Sequence, residues 1–162
     1  MKRYFWFFVS AALIFLGCAT RKPVPGIEKL NQPVVQSYAE QKAVPYDGKV
    51  QVIAYNIERG IFWKDTVRYL AEKQAEMPGT IVLISEADRM HSRSGDVFVA
   101  DEMARALKTN MVFVTEYVEY NDQTKDTPGD HGNAILSPFP LKDIEVIRHT
   151  DVYSWTNWGW FW

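Results

Sequence analysis

"TIVLISEADRM", residues 80–90, carries an unbroken aliphatic stretch from Ile81 to Ile84 that stops at Ser85 and Glu86. An apolar run without polar alternation predicts a strand over residues 80–85 that is covered on both faces. A carboxylate at its close is costly unless water or a cation meets it. Glu86 therefore either points into water where the strand ends, or grips a cation where several strand ends converge.

Upstream, "KVQVIAYNIERG" (residues 49–60) is β-branched and mostly apolar, begins after Gly48 and closes at Gly60, so it predicts another strand. Residues 64–77 place Val67, Leu70, Ala71 and Ala75 near one helical face, with Pro78 and Gly79 as the stop. Strand, helix and strand in roughly 35 residues make a crossover unit, so the two strands should run parallel with their C-terminal ends on one edge. Downstream, residues 96–108 predict a second helix, with Val97, Ala100, Ala104 and Leu107 at helical spacing and Asn110 just past its end. Residues 111–120 form a long strand, residues 121–132 a polar loop, "NAILS" a short strand, and residues 143–149 a last one. The fold class is α/β.

The chain has 162 residues and a formal net charge of −2, enough for one domain and without the basic surface that binds polyanions nonspecifically. Cys18 is the single cysteine, which excludes an internal disulfide and a cysteine metal cage. Lys2 and Arg3 precede an apolar run from Tyr4 to Leu16 that only Ser10 interrupts. That is the layout of an export signal, too short to span a bilayer comfortably. The run closes in "FLGCAT" and resembles a bacterial lipobox, which implies that Cys18 is acylated and anchors an exported protein to the cell envelope membrane. Phe15 stands where that motif usually has Leu. Residues 1–18 are thus the signal, and residues 19–48, rich in Pro, Gln and Lys, a tether.

Parallel strand ends are where α/β proteins place ligands, and Asn56 and Glu86 close the two best strands. The carboxylate suits Mg²⁺, which takes one or two carboxylates and keeps several waters. The amide suits a phosphate oxygen or an attacking water. Spacing alone leaves a solvated Glu and a turn-forming Asn equally open.

Three segments in order, "VQVIAYNIERG", "IVLISEADR" and "HGNAILSPFPL", resemble the endonuclease/exonuclease/phosphatase superfamily over roughly residues 49–148. Ser85 replaces the usual Gln of the second segment, and Pro138 the Arg often found after "LS". The resemblance implies a layered α/β sandwich and water-driven hydrolysis of phosphate esters with a divalent metal, Mg²⁺ or Mn²⁺. It makes Asn56 the active-site Asn and a metal contact, Glu86 the metal-binding acid, and Ser85 a neighbour of the site. His131 is either a loop imidazole near the phosphate or a hydrogen-bonded turn residue, with the turn weighing more. Arg93 is a phosphate-contact candidate set against a solvated loop arginine, and Asn133 is a structural residue beside Gly132. His91 and His149 carry no motif and are read as surface residues. The Asp130–His131 pair is similar to the Asp-His that closes the family domain, but "GNAILS" follows it, so that match is set aside.

The family domain is about twice as long as residues 49–162, and its second half brings the water-activating base and further metal ligands. Residues 49–150 therefore correspond to the N-terminal half of that sandwich, and residues 19–162 alone are expected to turn over phosphate esters poorly. Residues 151–162 hold four of the six tryptophans, read as the end of a truncated or frameshifted frame or as a membrane-inserting aromatic patch. Two functions stand: an exported, lipid-anchored phosphoesterase, and a non-catalytic surface lipoprotein that keeps the half-fold for binding. The substrate is open among nucleic acid, phospholipid and small phosphate esters, and nothing in the sequence points to a protein partner.

Overall fold

The computed structural model describes residues 30, 32–40, 48–120 and 128–147. The signal with Cys18, the tail 151–162 and His149 lie outside the described residues. In chain order the elements are β1 (Val34–Ser37), β2 (Val52–Arg59), α1 (Trp63–Glu76), β3 (Ile81–Arg89), α2 (Val99–Ala106), β4 (Asn110–Tyr120) and β5 (Pro128–Ser137). A short 3₁₀ turn, Ser92–Ser94, links β3 to α2. The strands form one mixed sheet in the order β1-β4-β5-β3-β2. As the crossover predicts, β2 and β3 are parallel, with Tyr55 opposite Ile84 and Asn56 opposite Ser85. All other pairings are antiparallel. The α/β class holds.

Both helices pack on one face of the sheet. Val82, Ile84, Met111, Phe113, Ala134 and Leu136 meet Leu70 of α1 and Val99, Ala100, Met103 and Ala104 of α2 in a single apolar core. Phe98 and Phe113 stack edge to face, centroids 4.8 Å apart, and the Arg89 guanidinium lies 5.3 Å from each ring. α1 is only lightly buried: Leu70 is sealed and Val67 packs against the core, but Ala71 and Ala75 are exposed, narrower than the face expected from the sequence. Pro78 and Gly79 do stop it, since the chain is already extended at Met77. α2 is shorter at both ends than residues 96–108: Asp96 is left-handed, and Phe98 bridges to Arg89 in the manner of a strand.

The other face carries a row of apolar side chains across all five strands, namely Val35, Val112, Ile135, Leu83 and Ala54. No helix covers it among the described residues. Leu83 and Ile135 are 39% and 40% exposed. The segment after β5 runs back over part of this face, so that Leu141 and Ile144 line a cavity of about 450 Å³ with Leu83, Val112 and Ile135. The expectation of a strand covered on both faces thus holds for one face only.

Three further readings are corrected. Residues 34–37, placed in a tether, are β1, which pairs with β4 along Val34–Phe113 to Ser37–Asn110. Residues 128–132, placed in a loop, belong to β5, which pairs with both β3 and β4 from its first residues. Residues 143–147, expected to open a strand, form none. Among the described residues no helix is long and apolar enough to cross a membrane.

Candidate functional site

The register between β2 and β3 breaks just past Asn56 and Ser85, where Arg59 next pairs with Ala87. Ile57 and Glu58 on one strand therefore face Glu86 alone on the other, a bulge that re-aims side chains at the strand ends. Glu58, Arg59 and Glu86 all sit in the left-handed region, with φ of 48°, 67° and 59°. Such backbone costs an L-residue about 1–2 kcal/mol each. Three in one place mark a site held against its local preference.

The bulge brings the two expected residues together. Asn56 Nδ2 donates to Glu86 Oε1 at 2.7 Å, and Asn56 Oδ1 accepts from the Glu58 backbone N–H at 2.9 Å. The carboxamide is therefore fixed at both ends. Its oxygen accepts one hydrogen bond and keeps a second lone pair, and its nitrogen orients Glu86. Glu86 is partly exposed, on β3 inside the sheet at the bulge with β2. Ser85 is its neighbour, opposite Asn56.

A second polar group lies on the same open face, one step further along β3. Asp88 is fully buried and receives three hydrogen bonds: Arg93 Nε at 2.6 Å, Arg93 Nη2 at 2.9 Å, and the His131 imidazole, whose Nδ1 lies 2.9 Å from Asp88 Oδ1. Arg93 also reaches Glu119 Oε2 at 2.6 Å. Burial alone would raise the Asp88 pKa, but the hydrogen bonds from His131 and Arg93, together with their charges, outweigh it and hold the carboxyl below its usual range. The Asp88 hydrogen bond likewise keeps Arg93 firmly protonated. Tyr117 stacks on His131, centroids 4.7 Å apart and planes 26° off parallel.

His131 thus lies in β5, buried at 3% exposure, and not in a turn. Arg93 is largely buried, and its guanidinium is held by two carboxylates, Asp88 and Glu119. Asn133 is an exposed residue of β5. Gly132 beside it admits no side chain, as a Cβ there would come within 2.2 Å of the Val114 carbonyl. His91, read as a surface residue, is 1% exposed; its Nδ1 accepts from the Arg93 amide at 3.5 Å, while its buried Nε2 has no hydrogen-bond partner among the described residues. Sequence reading missed Asp88, Tyr117 and Glu119. Asp88 left one trace, a second carboxylate two residues after Glu86, beyond the apolar run Ile81–Ile84.

As a metal centre the site is sparse. Among the described residues no three His, Cys, Asp or Glu side chains converge as a ligand group. Glu86, steadied through one oxygen by Asn56, fits the hydrated Mg²⁺ mode, in which a carboxylate and a substrate phosphate share the ion with waters. It does not fit a closed transition-metal cage. No family model, curated protein or solved structure matches the chain.

Proposed function

We propose that the chain is a divalent-metal-dependent phosphoesterase, similar to the endonuclease/exonuclease/phosphatase superfamily, exported and held at the cell envelope through a lipid on Cys18. The observation that carries this reading is the Asn56–Glu86 hydrogen bond of 2.7 Å at the bulge between the parallel strands β2 and β3, which run on past it to Arg59 and Arg89. A carboxylate held in one orientation at a ligand-binding edge is what a hydrated Mg²⁺ requires. When bound, the ion would neutralise phosphate charge and polarise a phosphoryl oxygen. Glu86 would hold the ion, and Asn56 would keep Glu86 in place. The three motif-bearing segments support the hydrolytic class, and the substrate remains one of nucleic acid, phospholipid or small phosphate ester.

The test is metal binding followed by turnover. Mn²⁺ binding read by electron paramagnetic resonance should be detectable and lost in Glu86→Gln, and Asn56→Ala should weaken it. Hydrolysis of bis(p-nitrophenyl) phosphate, however slow, should depend on Mg²⁺ or Mn²⁺ and vanish in Glu86→Gln. One carboxylate is a weak site, so binding is the more sensitive readout.

A second reading, a non-catalytic surface lipoprotein that uses the fold for binding, is favoured by the exposed apolar row. Absence of any Glu86-dependent Mn²⁺ signal would decide for it.

A further inference from the structure

Phe62 stands where a helix ordinarily begins with a hydrogen-bonding side chain. It is the N-cap of α1, a position that favours Ser, Thr, Asp and Asn, and no side-chain cap is made there. Its ring is 63% exposed, and Ile61 before it is 44% exposed. Trp63 differs, since it packs against the core. Neither capping nor the core accounts for two bulky apolar side chains held outward at this turn.

The turn itself is firmly fixed. The Gly60 N–H donates to the Ile57 carbonyl at 2.9 Å, and the Trp63 N–H to the Gly60 carbonyl at 3.2 Å. The Phe62 carbonyl accepts from the N–H groups of Asp65 and Thr66 at 3.0 and 3.1 Å. Gly60 has a φ of 79°, and a Cβ there would come within 2.6 Å of a Val99 methyl, so the turn is pressed onto α2. Arg59 and Lys64, both exposed, flank the pair, and the Lys64 ammonium lies 5.5 Å from the Trp63 ring centroid. Of the carboxylates beside them, Glu58 is exposed and Asp65 is paired with Arg68. An apolar tip between two cations, with a tryptophan behind it, has the chemistry of a lipid interface.

The topology turns this tip toward the side from which the N-terminal chain arrives. The three antiparallel pairings β1 with β4, β4 with β5 and β5 with β3 make β1 antiparallel to β3. The chain therefore enters β1 at Val34 from the edge at which β2 and β3 leave the sheet. The turn after β2 lies on that edge, and a tether from Cys18 would approach it from the same direction.

We infer that the turn Arg59–Lys64 is a membrane contact: Ile61 and Phe62 enter the headgroup region of a phospholipid surface, and Arg59 and Lys64 meet its phosphates. It is a second attachment beside the proposed anchor on Cys18, and it needs neither the acyl chain nor the metal site. The cap that Phe62 fails to make is then the cost of displaying an aromatic ring at this point.

The experiment uses the full chain carrying Cys18→Ser, so that no acyl chain is present and one introduced cysteine takes the label. Ile61→Cys bears an environment-sensitive nitrobenzoxadiazole, and the protein is reconstituted into phosphatidylethanolamine and phosphatidylglycerol vesicles and recovered by flotation. Its emission should shift to the blue with vesicles and be quenched by a nitroxide on the lipid chains. The same label on Glu72→Cys, about 15 Å along α1 from Phe62, should keep its aqueous emission. Adding Phe62→Asp to the Ile61→Cys chain should abolish the lipid quenching without lowering the denaturation midpoint, because Asp suits an N-cap. No lipid quenching at position 61, or equal quenching at 61 and 72, overturns the inference. So does a blue shift already complete without vesicles, which would mark a protein contact, and so does a lowered midpoint in Phe62→Asp, which would mean that the ring packs within the molecule.

Discussion

Asp88 is the residue on which the polar end of the sheet depends. It is fully buried, and it neutralises Arg93 while fixing the His131 ring. Removing a partner from a buried charge pair typically costs about 3–5 kcal/mol, because the remaining charge is left unpaired. Asp88→Ala should lose stability on that scale in urea denaturation, and Asp88→Asn less. The folded-state pKa of Asp88 is depressed, so its stabilisation is full above the unfolded carboxyl value of about 4 and is lost as pH falls through the lower folded value. Wild type should therefore shed stability below about pH 4 more steeply than Asp88→Asn, as measured by denaturation midpoints across pH. Little of this was legible in the sequence. Asn56 and Glu86 announce themselves by closing apolar runs, although the strands β2 and β3 continue past them to Arg59 and Arg89. Asp88, His131, Arg93 and Glu119 become a cluster only when β3, β5, β4 and the turn after β3 are brought together.

At the level of elements, the bulge between β2 and β3 sets rigidity of the site against stability of the fold. Arg59→Gly would remove the Cβ that makes a φ of 67° unfavourable, at the cost of a freer unfolded chain. The net expectation is a gain of about 0.5–1 kcal/mol, read as a raised denaturation midpoint. A loss of stability instead would mean that the Arg59 side chain holds the bulge by contacts of its own. The parallel pair β2 and β3 could be read from sequence because its signals are local: two apolar runs, one helix pattern, and Pro78-Gly79 between. β1 could not, since four residues of ordinary composition become a strand only by pairing with β4, more than seventy positions away. The start of β5 was hidden in the same way. Its Pro, Gly and Asp residues favour turns locally, but two flanking strands override that preference.

For the whole molecule, the sheet has one face sealed by helices and one face with an exposed apolar row. Leu83 and Ile135 are cross-strand neighbours in that row. A face of this kind promotes association. The Leu83→Glu, Ile135→Lys double variant should sediment as a monomer at concentrations where wild type associates, with its circular dichroism unchanged; identical sedimentation of the two would show that the face is not the contact. Attachment to the membrane is tested separately. Cys18→Ser should move the protein from the membrane to the soluble fraction and abolish an acyl-chain mass, and a variant that stays with the membrane would disprove the anchor.

β1 also decides how the molecule carries tension. If Cys18 is tethered to a lipid, the sixteen steps of chain from Cys18 to Val34 reach at most about 55 Å, and any drag on the protein enters the sheet through that one short strand. β1 is riveted at its far end by Ser37 to Asn110 at 2.6 Å, by the Tyr38 backbone N–H to the Thr109 carbonyl at 3.1 Å, and by the Tyr38 hydroxyl to Asp101 at 2.6 Å. Load would reach Val34 first and those rivets last, so the strand would yield from its anchored end while β2 to β5, with the Glu86 edge, stayed assembled. The strand would then act as a mechanical fuse between the membrane and the site.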